Sequence, residues 1–167
     1  MEKIKIGIVS DTHGILRPEV VKELQGVDRI LHAGDIVGLD IIEELERIAP
    51  VYAVRGNCDH GEWSMKFPKT DLIQLGEASI YLLHNLYEID IAPGAAGVNI
   101  IICGHSHQPA FEEKAGIVYI NPGSCGPRRF SLPISMAIME LESRQCKVQF
   151  INLERPKDTN TYTTVLE

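Results

Sequence analysis

The stretch KIKIGIVSDTHG, residues 3–14, changes character halfway along. Its first seven residues are rich in isoleucine and valine, which predicts a short β-strand over Lys3–Val9. The next four residues, SDTH, are all polar, and Gly14 follows them. We therefore expect the strand to end here and to leave the carboxylate of Asp11 and the imidazole of His13 beyond its carboxyl end.

The same strand begins an alternation of strand-like and helix-like segments. Short apolar runs over Arg29–His32 and Val51–Arg55 predict two further strands. Between these strands, Arg17–Leu24 and Leu39–Ile48 carry apolar residues at helical spacing. This β-α-β-α-β order predicts a parallel sheet with right-handed crossovers.

The second half of the chain is richer in predicted strands. Asp71–Leu75 and Ser79–His84 flank Gly76-Glu77, which predicts a hairpin. The connections between the later strands are short, so we expect most of them to be antiparallel. These later strands are Asn99–Cys103, Ile117–Ile120, Ser135–Leu141 and Lys147–Leu153.

About nine strands are too many for one compact sheet. We therefore predict an α/β fold in which two stacked mixed β-sheets are flanked by helices. A chain of 167 residues is long enough for a single domain with a sizeable core. The polar stretch 155–167 is expected to be a loosely held C-terminal tail.

Composition and charge indicate which kinds of binding partner and which cellular location to expect. The chain has a formal net charge of −7 and lacks a long basic run, so no extended nucleic-acid surface is expected. No apolar stretch approaches the roughly 20 residues of a membrane span, and no signal peptide is evident, so a cytoplasmic location is expected. The four cysteines form no C-x-x-C pair, and we expect free thiols.

Five apolar runs end in side chains that can bind a metal ion. Gly34, Gly56 and Gly104 precede three of these positions, where we expect glycine to allow sharp turns out of the strands. The candidate ligands are Asp11, His13, Asp35, Asn57, His84, His105 and His107.

These candidate ligands are expected to meet, because strand exits in α/β sheets converge on one site. Carboxylate, amide and imidazole groups suit Mn²⁺, Fe, Co²⁺, Ni²⁺ or Zn²⁺. A lone D-x-H or H-x-H pair is more often explained by surface or core polarity, and His84 alone is more typical of a buried core histidine than of a ligand. The joint pattern favours a metal site, and two ions that share one carboxylate would use every candidate.

The order of these motifs resembles the calcineurin-like metallophosphoesterases. The matching residues run from D-x-H at Asp11 to G-H-x-H at Gly104, and the resemblance spans about Ile4 to Leu153. The short chain, GNCD at 56–59 and NPGS at 121–124 are most similar to the small YfcE-type phosphodiesterase branch. In chain order the motifs are D-x-H (Asp11, His13), GD (Gly34, Asp35), GN (Gly56, Asn57), a lone His84 and G-H-x-H (Gly104, His105, His107).

The resemblance implies an αββα metallophosphoesterase fold and a dinuclear metal site. By this resemblance, one ion is held by Asp11, His13 and His107, the other by Asn57, His84 and His105, and both by Asp35. Mn²⁺ is the first expectation for the metal, with Ni²⁺, Co²⁺, Fe or Zn²⁺ as alternatives. A hydroxide bridging the ions would attack a small phosphodiester, without a protein nucleophile. A homo-oligomer, either dimer or tetramer, is also expected.

The sequence departs from the family pattern near the predicted second ion. Cys58 stands where many members have a histidine that binds phosphate or protonates the leaving group. The catalytic candidates are Asn57, Cys58 and His60, although an exposed loop histidine is the simpler interpretation of His60. We expect a preference for substrates with good leaving groups. Asn85 replaces the usual glycine after His84, and asparagine tolerates the left-handed conformation that such a turn requires.

Several interpretations stay open at the level of the sequence. The chain could instead be a phosphomonoesterase, or a non-catalytic scaffold like the small subunit of the retromer coat. Such a scaffold is expected to lose ligand histidines, whereas this sequence keeps them. Arg128 and Arg129 could reach a substrate phosphate, but a solvated pair is the simpler interpretation. His32 is interpreted as a buried structural residue.

Overall fold

The computed structural model describes residues 2–167, and these residues form two stacked β-sheets with α-helices over one of them. The helices are α1 (Pro18–Glu23) and α2 (Leu39–Glu46), and single 3₁₀ turns lie at Glu62–Lys66 and Leu86–Glu88. The strands are β1 (Ile4–Val9), β2 (Arg29–His32), β3 (Val51–Ala53), β4 (Thr70–Leu75), β5 (Ala78–Leu83), β6 (Ile100–Ile102), β7 (Ala110–Lys114), β8 (Ile117–Asn121), β9 (Ser135–Glu142), β10 (Gln145–Asn152) and β11 (Asn160–Val165).

Sheet A has the strand order β11-β10-β9-β1-β2-β3. Strands β1, β2 and β3 are parallel, which confirms the predicted β-α-β-α-β unit. The helices of this unit form as the sequence indicates. Pro18 starts α1, where its fixed φ suits the first turn, and α2 buries Ile41, Ile42 and Leu45 on one face.

Sheet B has the strand order β4-β5-β6-β8-β7. The hairpin predicted around Gly76-Glu77 is confirmed as β4 and β5. The expectation of mostly antiparallel later strands is wrong in this sheet, because β5, β6 and β8 run parallel. The segment between β5 and β6 is long enough to cross the sheet, and β7 occupies the edge beyond β8.

Apolar side chains from both sheets fill the space between them. Ile6, Ile8, Ile80 and Ile100 are among the residues of this central core that are fully buried. Helices α1 and α2 cover the outer face of sheet A. The outer face of sheet B is instead covered by the segment 86–98, which contains the 3₁₀ turn at Leu86–Glu88. The predicted class of two stacked mixed sheets with flanking helices is confirmed.

The C-terminal stretch is more ordered than the sequence indicates. The expectation of a loosely held tail is wrong for β11, which pairs with β10 along its length. Tyr162 of β11 stacks on Phe111 of sheet B with ring centroids 4.6 Å apart. Arg144 Nε donates a hydrogen bond to the Leu166 carbonyl at 2.8 Å. Both contacts tie the end of the chain to the rest of the fold.

Within residues 2–167, the longest helix is α2 with eight residues, and no helix combines the length and hydropathy of a membrane crossing. The four cysteines all lie in this part of the chain and are free thiols, as predicted.

Candidate metal centre

Loops that follow five strands carry the candidate ligands, and the structure brings these loops together. Strands β1, β2 and β3 of sheet A and β5 and β6 of sheet B all end at this place. Asp11 and His13 follow β1, Asp35 follows β2, Asn57 follows β3, His84 follows β5, and His105 and His107 follow β6.

The first ligand group consists of Asp11, His13 and His107. One ligand atom from each residue lies within 4.8 Å of the others. His107 Nε2 is 3.2 Å from Asp11 Oδ1, and His13 Nε2 is 3.4 Å from His107 Nε2. His13 Nε2 lies 3.7 Å from Asp11 Oδ1. The group therefore offers one carboxylate oxygen and two imidazole nitrogens to a common point.

The second ligand group consists of Asn57, His84 and His105. His105 Nδ1 lies 3.3 Å from His84 Nε2 and 3.2 Å from Asn57 Oδ1. His84 Nδ1 donates a hydrogen bond to the Ala33 carbonyl at 2.7 Å, so Nε2 is left free to act as a ligand. The two neighbouring histidines of the H-x-H motif thus belong to different groups, and they use different ring nitrogens.

Asp35 lies between the two ligand groups. Its Oδ2 is 3.2 Å from His84 Nε2 and 3.6 Å from His13 Nε2. Its other oxygen, Oδ1, accepts a hydrogen bond from the Cys58 backbone N–H at 2.9 Å. One carboxylate oxygen therefore faces both groups while the other is held by the protein.

The donor set fits divalent metal ions. Asp11 Oδ1, the oxygen that faces the first ligand group, is a buried side-chain atom without a hydrogen-bond partner within residues 2–167. Nitrogens of His107, His13 and His84 lie 3.2, 3.7 and 3.9 Å from Asp11 Oδ1, but none of them forms a hydrogen bond with it. Ligands about 2.1 Å from one ion lie about 3.0–3.5 Å from each other. The observed separations are close to that range.

The backbone is left-handed at most of the candidate ligands. Left-handed φ values are rare for residues other than glycine and persist where the surrounding structure imposes them, often at functional sites. The φ values are 57° at Asp11, 45° at His13, 54° at Asp35, 71° at His105 and 61° at His107. The ligand residues themselves, more than the adjacent glycines, make the sharp exits from the strands.

Gly56 and Gly104 do not make left-handed turns, because neither has a positive φ. They allow the backbone to pack closely against neighbouring side chains. A Cβ on Gly104 would lie 2.7 Å from Asp11 Oδ2, and a Cβ on Gly56 would overlap Asp35 Oδ1. The expectation that glycine allows the sharp turns is therefore wrong for Gly56 and Gly104, but it is confirmed for Gly34, whose φ is 98°. The small size of Gly56 and Gly104 lets the two carboxylates pack against the neighbouring loops.

A buried hydrogen-bond network joins the loops after β1 and β2. The Gly34 N–H donates to His32 Nδ1 at 3.1 Å, so His32 Nε2 carries the proton and donates to Thr12 Oγ1 at 3.0 Å. Thr12 in turn donates to the Ile36 carbonyl at 2.9 Å. Burial lowers the pKa of His32 to about 4, so the ring is neutral near pH 7. Sequence reasoning missed Thr12, since a hydroxyl between two ligands carries no signal of its own.

Asp59 holds the loop after β3 against the loop after β2. Its carboxylate accepts hydrogen bonds from the backbone N–H groups of Val37 and Gly56, both at 2.8 Å. The positions of the loops that carry Asp35 and Asn57 therefore depend on a side chain that is not itself a candidate ligand.

Charge and burial act in opposite directions on the two acids. Burial raises the pKa of Asp11, but the neighbouring His107 and His13 outweigh it and hold this pKa below its ordinary value. Burial likewise opposes ionisation of Asp35, and His84 outweighs it, so the pKa is again lowered. Both carboxylates are therefore ionised near neutral pH, as metal ligands must be.

The residues with predicted catalytic roles lie around the second ligand group. Cys58 is half-buried, and burial together with the Asp35 carboxylate raises the pKa of its thiol. His60 is exposed and lines a cavity of about 610 Å³. Asn57, Lys69 and His84 line the same cavity. The catalytic roles of Asn57, Cys58 and His60 stay predictions.

Asn85 does not adopt the left-handed conformation allowed for it in the sequence analysis. Its φ is −112°, and its side chain accepts a hydrogen bond from the Tyr87 N–H at 3.1 Å. Asparagine therefore caps the 3₁₀ turn after His84, and the chain leaves β5 without the usual glycine.

An α/β fold with two mixed sheets, whose strand ends gather carboxylates, imidazoles and an amide, is typical of metal-dependent hydrolases. Residues 4–144 match the calcineurin-like phosphoesterase superfamily domain, so the chain belongs to that superfamily. The predicted resemblance to calcineurin-like metallophosphoesterases is confirmed, and so is the prediction of an enzyme that hydrolyses phosphoric esters.

Two relatives cover most of the chain. A protein of Methanothermobacter thermautotrophicus named "Probable metallophosphoesterase" is 31% identical over 163 residues, which covers 90% of this chain and 94% of that protein. The phosphodiesterase YfcE of Escherichia coli K12 is 27% identical over 161 residues, covering 82% of this chain and 88% of YfcE. This second match confirms the similarity to the YfcE-type branch.

The fold is also similar to that of a solved structure whose protein is not named as a phosphoesterase. The solved structure of vacuolar protein sorting 29 from Cryptosporidium parvum has a TM-score of 0.81 over 97% of both chains, at 21% sequence identity. At that identity the likeness shows the fold alone.

Proposed function

We propose that this chain is a metal-dependent phosphodiesterase that hydrolyses small phosphodiesters at a dinuclear metal centre. The observation that carries the proposal is the position of Asp35. Its Oδ2 lies 3.6 Å from a nitrogen of the first ligand group and 3.2 Å from a nitrogen of the second. A single ion would not need a carboxylate oxygen that faces two complete sets of donors.

Some residues would hold the metal ions, and others would keep these ligands in position. Two divalent ions held there would acidify a shared water and bind the nonbridging oxygens of a phosphate. Asp35 is kept in place by the Cys58 N–H, and His84 by the Ala33 carbonyl. The oxygen and imidazole donors suit Mn²⁺ first, with Ni²⁺, Co²⁺, Fe or Zn²⁺ as alternatives.

Water is the nucleophile in this proposal, because the nearby side chains are unsuited to the role. Ser10 is buried and donates to Asp11 Oδ2 at 2.6 Å, so its hydroxyl is already engaged. The raised pKa of Cys58 keeps its thiol protonated near neutral pH. A protonated thiol is a poor nucleophile, although it can donate a proton to a leaving group.

Several features support a diester as the substrate. The cavity beside Asn57 and His84, about 610 Å³ in volume, provides room for an organic group on the phosphate. Position 58 carries a neutral thiol where many family members have a histidine. This side of the centre therefore offers less positive charge to balance the second negative charge of a phosphomonoester. The name of YfcE, a phosphodiesterase, agrees with this preference.

The alternative of a non-catalytic scaffold is disfavoured by the candidate ligands. His13, His84, His105 and His107 are all present and close together, whereas a scaffold has no need of them. The cytoplasmic location and the dimer or tetramer expected from the sequence stay predictions.

The test is hydrolysis of bis(p-nitrophenyl) phosphate by purified protein with Mn²⁺, Ni²⁺, Co²⁺ or Zn²⁺ added separately. We expect turnover with at least one ion, its loss on chelation, and a lower rate on p-nitrophenyl phosphate. Absence of turnover with every ion, in a protein that has bound two metal equivalents, would contradict the proposal. A faster rate on the monoester would make the chain a phosphomonoesterase.

A further inference from the structure

The side chain of Asn121 is hydrogen-bonded to the H-x-H loop, residues 104–107, which carries His105 and His107. Its Nδ2 donates to the Gly104 carbonyl at 2.9 Å and to Ser106 Oγ at 3.0 Å. Asn121 is 7% exposed, so these bonds are largely shielded from water. Both donors of the amide group are therefore used to hold this one loop.

The backbone of the H-x-H loop is strained and needs such support. The φ values of 71° at His105 and 61° at His107 are left-handed, and residues other than glycine keep this conformation only where neighbouring contacts impose it. The Gly104 carbonyl also accepts a hydrogen bond from the Ser106 N–H at 2.8 Å, which closes a tight turn around His105. Asn121 thus bonds to both ends of this turn.

The turn at 121–124 is also fixed to the loop that follows β1. Asn121 Oδ1 accepts a hydrogen bond from the Gly123 N–H at 2.9 Å, which closes the turn. Ser124 Oγ donates to the Asp11 carbonyl at 3.0 Å. The position of the turn is therefore coupled to the backbone of a candidate ligand in the first group.

This turn begins the segment through which the chain passes from one sheet to the other. Asn121 is the last residue of β8 in sheet B, and Ser135 is the first residue of β9 in sheet A. Ser135 Oγ donates to the Pro122 carbonyl at 2.8 Å, which ties the turn to sheet A. The H-x-H loop follows β6 of sheet B, and the Asp11 loop follows β1 of sheet A. The turn therefore contacts ligand loops from both sheets.

We propose that Asn121 is a positioning residue that holds His105 and His107 at the separation required to bind two metal ions, an inference that rests on the proposed function. His107 belongs to the first ligand group and His105 to the second, so a displaced H-x-H loop would weaken both metal positions. Groups that orient metal ligands are needed for full affinity, and their loss weakens binding by about tenfold to a hundredfold.

The experiment compares Mn²⁺ binding by Asn121→Asp and Asn99→Asp in the full chain, using calorimetry. Asn99 lies at the other end of β6 from the H-x-H loop, and its side chain also donates to a backbone carbonyl and accepts from a backbone N–H. We expect both ions to bind about tenfold to a hundredfold more weakly in Asn121→Asp, and within about twofold of the wild type in the matched control. An added carboxylate attracts cations, so its charge cannot explain weaker binding.

Absorption by bound Co²⁺ provides a second readout that does not need turnover, because it depends on the arrangement of the ligands around the ion. The visible spectrum of Co²⁺-loaded protein should change in Asn121→Asp and stay as in the wild type in Asn99→Asp. Asn121→Leu has a side chain of similar size without the added charge. It should also weaken the binding of both ions, and it replaces the aspartate variant if that variant does not fold.

Three outcomes would overturn the inference: wild-type metal affinity in Asn121→Asp or Asn121→Leu, weaker binding of one ion alone, or an equal loss of affinity in Asn99→Asp. A different result would contradict the proposed function alone. In that case the wild type binds two ions, Asn121→Asp weakens both, and the wild type still hydrolyses no phosphodiester.

Discussion

The first ligand group lies deeper in the protein than the second. In the first group Asp11 is fully buried and His107 is 3% exposed, whereas Asn57 and His105 of the second group are exposed. The charges differ as well. The first group has the Asp11 carboxylate of its own, while the second has an amide and imidazoles and depends on Asp35 for negative charge.

If the two groups hold two ions as proposed, this difference predicts that the two metal positions are unequal. A buried carboxylate interacts with a cation more strongly than an exposed amide does, because less water screens the interaction. We therefore expect the first group to hold its ion more tightly and the second to exchange its ion with solvent more readily. Asp35 is the exception, since its Oδ2 faces both groups.

The largest effect is expected for Asp35→Asn. This change should weaken metal binding by both groups, and so should remove the difference in affinity between them. An amide supplies no charge to either ion, so bound metal should fall from about two equivalents to less than one. Diester hydrolysis should fall roughly a thousandfold or more. Metal analysis after gel filtration and initial-rate kinetics measure the two quantities.

The matched control for this change is Asp158→Asn, which makes the same substitution at an exposed position far along the chain. Metal content and rate should both stay at wild-type values in the control. Two full equivalents of metal in Asp35→Asn would show that the carboxylate is not shared.

A second prediction concerns His32, which supports the loop of the first group through Thr12. The pKa of His32 is about 4 in the folded protein, below the ordinary value of 6.5, because burial disfavours its charged form. The unfolded chain therefore binds more protons between these pH values. Neutral His32 makes its full contribution to the free energy of unfolding above pH 6.5. This contribution, about 3 kcal/mol in total, is lost as the pH falls towards 4.

Urea unfolding of metal-free protein at several pH values between 7.5 and 4.5 measures this contribution. His13 and His84 have raised pKa values and change stability in the opposite direction, so the comparison is with His32→Gln rather than with zero. The wild type should lose more stability than His32→Gln as the pH falls, whereas His60→Gln should follow the wild type. Parallel curves for wild type and His32→Gln would contradict the prediction.

The contrast between the ligand groups also shows what the sequence can and cannot predict. The candidate ligands of both groups could be identified in the sequence because each lies at or just beyond the end of an apolar run, and parallel strands bring their carboxyl ends together. The left-handed backbone at His105 or Asp11 could not, because it is imposed by packing between loops distant in sequence. The ion pair between Arg128 and Glu154 also escaped prediction, since the two residues are distant in sequence.

The same limit explains the strands that the sequence analysis missed. Strand β7 has the sequence AFEEK and is mostly exposed, so it lacks the apolar alternation that predicts a strand. Strand β11 has the sequence NTYTTV and is also mostly exposed. Both lie at the edges of their sheets and are defined by their pairing with β8 and β10, which local sequence does not reveal.

A third prediction uses Asn57→Ala to separate the two groups. This change removes one neutral donor from the second group and leaves the first intact. We expect one ion to bind about tenfold to a hundredfold more weakly while the other binds as in the wild type. A Mn²⁺ titration followed by calorimetry should resolve the two events, and excess Mn²⁺ should restore most of the diesterase rate. Equal weakening of both ions would contradict the assignment of Asn57 to the second group.

The smallest effect is expected for His60→Ala, beside the second group but outside it. His60 is exposed at the cavity wall, and it is not one of the candidate metal ligands. Its loss should change kcat/KM for bis(p-nitrophenyl) phosphate by no more than about twofold, because p-nitrophenolate leaves without needing a proton. A diester with an alkyl leaving group is the sharper probe. A fall of about tenfold or more on that substrate alone would assign leaving-group protonation to His60 rather than to Cys58.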